Sequence, residues 1–218
     1  MHHHSSEQIH SNGSLTGNIQ SCQSLARPLG LLAAPRKNSY SAEELLMIAN
    51  RYHRKGKLSQ AEDIFRKILE LVPNHPVALH FLGVIALESG NPCAAIKLIK
   101  CALKIAPDYH TAYNNLGNAY STSGQFEDAA DTYSRALEHK PDYSDAMFNL
   151  GMMKQMLRKY EEAKDILVKC AEQDPRRADV HAELGFTWAK LGNHMQAQIC
   201  FQIALSIDPH YTPETRVA

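Results

Sequence analysis

The chain has 218 residues and is 44% hydrophobic, enough to build a buried core, which argues against disorder of the whole chain. Its 23 basic residues balance 23 acidic residues, so no net charge attracts it to nucleic acid or to an anionic membrane surface. We therefore expect a protein partner and no nucleic-acid partner. No apolar run approaches the roughly 20 residues that span a bilayer, so we expect no membrane span.

Residues 1–41 form the first predicted segment, a disordered arm that is rich in serine. Residues 25–34 are apolar, but Arg27 and Pro28 interrupt them and the stretch before them is polar rather than basic, so they make a poor signal peptide. A transit peptide stays an alternative because Glu7 is the only acidic residue of the arm. Another alternative is that residues 25–34 dock onto the folded part of the chain.

The chain contains five cysteines, an odd number with no C-x-x-C pair: Cys22, Cys93, Cys101, Cys170 and Cys200. This pattern indicates neither a disulfide framework nor a zinc site. A reducing compartment fits best, and we expect a cytoplasmic protein. The triplet His2 to His4 could chelate a metal weakly, but an incidental triplet is the simpler interpretation, so we expect no metal and no cofactor.

After the arm the sequence repeats every 34 residues, and each repeat ends near a proline: Pro73, Pro107, Pro141, Pro175 and Pro209. Counting back from these prolines gives five units without insertions, at 42–75, 76–109, 110–143, 144–177 and 178–211, followed by a tail at 212–218. The position of a residue within its unit is called its column.

Superposing the units shows two columns of small residues. Column 20 is always alanine, and column 8 holds Ala49 followed by four glycines: Gly83, Gly117, Gly151 and Gly185. Small residues let two helix backbones approach closely, so these columns mark where the two helices of a unit cross. Large residues of columns 7 and 24, such as Leu150, are expected to fill the space around the crossings.

Column 15 is glycine in every unit except the fourth, which has Arg158, and glycine suits the left-handed residue that ends one helix and turns the chain. Between these turns the apolar residues recur at helical spacing, and no segment alternates like a strand. The sequence therefore predicts an all-α fold of five helical hairpins that stack on one another.

The repeats resemble the tetratricopeptide repeat, whose pattern is W-x2-L-G-x2-Y, then A-x3-F, then P. The third unit carries the likeness most completely, with Tyr113, Leu116, Gly117, Tyr120, Ala129, Tyr133 and Pro141. The resemblance implies an α-solenoid, a right-handed superhelix whose first helices line a concave groove for peptides or partner helices. Lys154 and Arg158 depart from the pattern, so the fourth unit is expected to be the softest.

By that resemblance, columns 2, 5, 6, 9, 12 and 13 face the groove. The predicted groove residues are His80, Phe81, Asn114, Asn115, Asn118, Phe148, Asn149, Met152, Glu183 and Phe186.

Two features of this set favour peptide binding. The asparagines resemble the ladder in the repeat domain of O-GlcNAc transferase, which implies binding to a peptide backbone. The aromatic residues need a reason to lie on an exposed face. The alternatives are that asparagine is simply a common surface residue and that the aromatic rings contact a neighbouring helix. Asp179 and Glu183 would repel a C-terminal carboxylate, which argues against a chaperone tail as the ligand.

No phosphate-binding loop, G-x-S-x-G elbow, H-E-x-x-H or dinucleotide fingerprint is present, so the sequence predicts no enzyme. The leading hypothesis is a scaffold or adaptor that binds an extended or helical protein segment. One alternative is the recognition arm of a larger enzyme of the glycosyltransferase type. The other is self-assembly through residues 195–211, because Ile199, Ile203 and Ile207 would be partly exposed on the last helix.

Overall fold

The structure is a computed structural model that describes residues 40–211, and within them the chain forms ten α-helices and no strand. The helices are α1 (Ala42–Arg54), α2 (Leu58–Leu71), α3 (Pro76–Glu88), α4 (Pro92–Ile105), α5 (His110–Thr122), α6 (Phe126–His139), α7 (Ser144–Met156), α8 (Tyr160–Gln173), α9 (Ala178–Lys190) and α10 (His194–Ile207). The prediction of an all-α solenoid is confirmed. Residues 1–39 of the predicted arm and the predicted tail at 212–218 lie outside the described residues.

Polar side chains fix where several helices begin. Ser41 Oγ accepts a hydrogen bond from the backbone N–H of Glu44, and the Glu44 carboxylate accepts one from the N–H of Ser41, so α1 starts with a capping box. The side chains of Asn91 and Asn193 each accept a hydrogen bond from the amide three residues further on, at 3.1 and 3.2 Å. These caps satisfy first-turn N–H groups that have no partner inside the helix.

The turn inside each hairpin uses one residue with a left-handed backbone. Glycine supplies it in four units, at Gly56, Gly90, Gly124 and Gly192, and Arg158 supplies it in the fourth with a φ of 58°. A residue with a Cβ pays about 1–2 kcal/mol for this conformation. The fourth turn is therefore strained, and the softness of the whole fourth unit stays a prediction. The other residue of this unit that departs from the repeat pattern, Lys154, forms an ion pair with Glu162, whose carboxylate lies 2.6 Å from Nζ.

The two helices of each hairpin cross at the small residues of columns 8 and 20. The column 20 alanines are at most 4% exposed. A Cβ added to Gly117 would lie 2.5 Å from Cε1 of the buried Tyr133 ring, and one added to Gly83 would lie 2.5 Å from Ile99. A side chain at column 8 would thus push the column 24 residue aside.

Packing between hairpins gives the array an inner and an outer side. The first helices of neighbouring hairpins pack directly on one another, α3 on α5, α5 on α7 and α7 on α9. The second helices α2, α4, α6 and α8 pack more extensively, each against the first helix of the following hairpin. The first helices therefore line the inner face of the array, and the second helices form its outer face.

The last helix leaves apolar side chains uncovered. On α10, Ile199 and Ile203 are 42% and 37% exposed. Ile207 is half-buried, because it packs against a small cluster that contains Ala178 and Ala204. Two of the three isoleucines that were expected to be partly exposed, Ile199 and Ile203, thus form an outward surface.

The cysteines differ in environment. Cys170 and Cys200 are free and buried, where they act as small core residues, and Cys93 is free and exposed. Cys101 is disulfide-bonded, so the expectation of reduced cysteines is wrong at this position. The expectation failed because pairing depends on proximity in space, which spacing along the chain does not report.

Candidate functional site

The predicted groove residues lie on the first helices of the second to fifth hairpins, α3, α5, α7 and α9. Seven of the ten are half-buried on the inner face. His80, Asn114 and Glu183 are at most 6% exposed, so they form the floor of the face rather than its open surface. The reason is the direct packing of neighbouring first helices, which encloses residues that the repeat pattern alone places on an open side.

His80 lies at the junction of the second and third hairpins. Asn115 Nδ2 donates a hydrogen bond to His80 Nε2 at 2.8 Å, which leaves Nδ1 to carry the proton of the neutral ring and to donate to the Tyr109 hydroxyl at 2.9 Å. Burial away from water, together with the nearby His53, lowers the pKa of His80 to about 4. The ring is therefore neutral near pH 7, with both nitrogens engaged.

Four asparagines form a hydrogen-bonded amide row across the inner face: Asn114, Asn115, Asn118 and Asn149. Asn149 Nδ2 bridges the third and fourth hairpins by donating to the Oδ1 atoms of Asn114 and Asn118, at 3.2 and 3.3 Å. The hydroxyl of Tyr133 also donates to Asn118 Oδ1, at 2.6 Å. The row therefore has fixed amide orientations before any ligand binds.

The orientations leave two complementary groups of the row for a ligand. Within residues 40–211, the structure gives no hydrogen-bond partner to Asn149 Oδ1 or to Asn114 Nδ2. Asn149 Oδ1 is an acceptor, and Asn114 Nδ2 is a donor. A peptide group presents the matching N–H and C=O, so the chemistry of this pair suits an extended backbone.

The aromatic residues of the set each contact a neighbouring ring or cation. Phe81 stacks on Phe65 with a centroid distance of 5.2 Å. Phe186 meets Phe201 edge to face at 5.1 Å. The Arg177 guanidinium lies 4.8 Å from the centroid of Phe148. These contacts explain why the rings are half-buried and held in place on the inner face.

Arg177 organises the charges at the edge of the face between the fourth and fifth hairpins. Its guanidinium donates to both carboxylate oxygens of Asp179, at 3.1 and 2.7 Å, and to Asp145 at 3.0 Å. Burial alone would raise the pKa of Asp179, but Arg177 outweighs burial and lowers it. The acidic residue that was expected to repel a carboxylate is therefore neutralised in part by its own arginine.

Among residues 40–211 there is no group of three histidine, cysteine or acidic side chains placed to hold a metal ion. The histidine triplet at the start of the chain lies outside these residues. No helix in the same range is long and apolar enough to cross a membrane.

These observations define an α-solenoid of 34-residue helical hairpins. Family models described as tetratricopeptide repeat match residues 52–116, 110–143 and 132–165. The chain belongs to the tetratricopeptide repeat family. The likeness of its asparagines to the ladder of O-GlcNAc transferase stays a prediction.

Solved structures support the same fold. YrrB, described as a tetratricopeptide repeat protein with an unusual peptide-binding site, is 24% identical with a TM-score of 0.66, covering 78% of this chain and 88% of that one. MamA from Desulfovibrio magneticus RS-1 is 20% identical with a TM-score of 0.70, covering 77% and 95%. PilF of Pseudomonas aeruginosa is 21% identical with a TM-score of 0.71, covering 76% of each chain. At these identities the likeness shows the fold alone.

No curated protein sequence matches this chain.

Proposed function

We propose that this chain is a non-catalytic scaffold whose inner face binds an extended or helical segment of a partner protein. The observation that carries the proposal is the amide row, with Asn149 Oδ1 and Asn114 Nδ2 directed to no group among the described residues. A paired acceptor and donor can hold the backbone of a peptide without reading its side chains.

The rings beside the amide row supply the apolar part of the proposed site. Phe148 and Phe186 are half-buried and held by Arg177 and Phe201, so their free surfaces are ordered before binding. A preorganised apolar surface loses little side-chain entropy when a ligand covers it. We expect the partner segment to place apolar side chains here, next to the backbone contacts.

The polar groups of the face favour binding over catalysis. Amides do not ionise near pH 7, and His80, the histidine of the set, has both nitrogens hydrogen-bonded and a pKa lowered to about 4. A general base needs a free nitrogen within reach of the substrate. The neutral amides and rings also suit a protein segment better than a phosphate backbone. The peptide-binding site described for YrrB is consistent with this role for the fold.

A display library of random peptides, selected on the wild-type chain, supplies a probe for the test. Asn149→Ala removes the acceptor and should weaken the selected peptides about tenfold, equivalent to about 1.4 kcal/mol, measured by fluorescence anisotropy. Asp131→Ala, on the exposed outer face of α6, is the matched control and should leave the affinity unchanged. Circular dichroism checks that both variants stay folded. Equal binding by wild type and Asn149→Ala would remove the amide row from the site.

A further inference from the structure

Helix α10 carries an exposed apolar stripe, the α10 ridge, made of Met195, Ile199 and Ile203. These side chains are 73%, 42% and 37% exposed. They are spaced four residues apart, so they lie on one face of the helix. Three aligned apolar side chains on a water-facing helix are unusual enough to need an explanation.

The same columns, 18, 22 and 26, are polar or charged on three of the other four second helices. All nine residues in these columns of α2, α6 and α8 are exposed. They are Ser59, Asp63 and Lys67 on α2; Glu127, Asp131 and Arg135 on α6; and Glu161, Asp165 and Lys169 on α8. On α4, Cys93 and Lys97 are exposed and Cys101 is buried. The ridge therefore occupies the outer face of the array, where α2, α6 and α8 present polar groups to water.

The ridge is distinct from the face that packs on a following hairpin. That face includes columns 17 and 21, which hold packed residues such as Phe126 and Ala130 in the earlier hairpins. In α10 the same columns hold polar side chains, His194 and Gln198, and both are exposed. Exposure of the ridge is thus not a consequence of its position at the last hairpin.

Charge identifies the kind of partner that suits the ridge. From His194 to Ile207 the helix contains no aspartate, glutamate, lysine or arginine. In a twofold contact between identical chains, the residue on the axis faces its own copy. The middle column of the ridge is charged in the other four hairpins: Asp63, Lys97, Asp131 and Asp165. On a twofold axis each of these side chains would repel its own copy, whereas the uncharged Ile199 would not.

We propose that the α10 ridge is a self-association surface that pairs with the ridge of a second copy of this chain. The helices run antiparallel about an axis near Ile199, so that Met195 of one copy meets Ile203 of the other. A standard interface buries about 800 Å² on each partner, more than three side chains supply. The dimer is therefore weak, and its population depends on protein concentration.

The test is sedimentation equilibrium of the full chain over a range of concentrations. The variant Ile199→Asp with Ile203→Lys gives the ridge the residues that α8 has in the same columns, Asp165 and Lys169. Wild type should shift from monomer to dimer as concentration rises, and the variant should stay monomeric. Leu205→Gln is the matched control, because Leu205 is 49% exposed on the same helix but outside the ridge. It should dimerise like wild type.

Three results would overturn the proposal. Wild type could be monomeric at every concentration, the double variant could dimerise like wild type, or Leu205→Gln alone could abolish the dimer and so locate the contact elsewhere on α10. If the double variant loses its helical circular dichroism, Met195→Glu decides instead. It matches Glu127 and Glu161 in column 18 and should also give a monomer.

Discussion

Asn115 Nδ2 lies 2.8 Å from His80 Nε2 and joins the third hairpin to the buried floor of the second. Asn115 can only donate from this atom, so the bond requires an unprotonated Nε2. The other ring nitrogen faces Tyr109. The junction of the two hairpins thus depends on one neutral histidine.

Stability should depend on pH through His80. Its pKa is lowered from 6.5 to about 4 in the folded chain, so the unfolded chain binds the proton more tightly. The neutral His80 ring contributes up to roughly 3 kcal/mol to the free energy of unfolding. This contribution is fully present above about pH 6.5 and is lost as the pH falls towards 4. Urea unfolding of wild type and His80→Gln at pH 7 and pH 5 measures it. The variant should lose less stability on acidification, and His194→Gln, at an exposed histidine, should behave like wild type.

Gly117→Ala should destabilise the third hairpin. The added methyl would lie 2.5 Å from the Tyr133 ring, and such overpacking typically costs about 1–3 kcal/mol. Ala49 occupies the same column in the first hairpin, so we expect a loss of stability rather than failure to fold. Thr122→Ala, at an exposed position of the same helix, should change the free energy of unfolding by less than about 0.5 kcal/mol. Equal urea midpoints for both variants would contradict the close crossing of α5 and α6.

Arg158→Gly should stabilise the chain by about 1 kcal/mol, because glycine adopts the left-handed turn without the strain that a Cβ imposes. The reverse change, Gly124→Arg, meets no atom within 4 Å of its Cβ and should lose a similar amount through the backbone alone. Thermal unfolding of the two variants checks the prediction. A lower melting temperature for Arg158→Gly would show that the arginine side chain stabilises the turn by another route.

The repeat period predicted most of the fold. Prolines, small residues and glycines recur because backbone crossings and turns recur, so the all-α solenoid and its buried columns follow from periodicity. The period could not predict where the fold departs from it. His80, Asn114 and Glu183 occupy columns that the pattern places on an open face, yet contacts between neighbouring first helices bury them.

The candidate site was predictable only as a set of columns. Which amide bonds to which depends on side-chain geometry across hairpins, as in the bridge from Asn149 to Asn114. The α10 ridge was predictable from a comparison of columns in the sequence. Column 22 is charged in the first four hairpins and is Ile199 in the fifth. Ile199 and Ile203 were expected to be exposed because they lie on the last helix, but their columns belong to the outer face, which is also exposed on α2, α6 and α8.

The central claim, that the inner face binds a peptide backbone through its asparagines, is tested most directly by ¹H–¹⁵N correlation spectra of the side-chain amides. Adding a display-selected peptide should shift the side-chain resonances of Asn114 and Asn149 and leave those of Asn91 and Asn193, which cap outer-face helices, unchanged. If the peptide binds while the resonances of Asn114 and Asn149 stay in place, the inner-face account is contradicted.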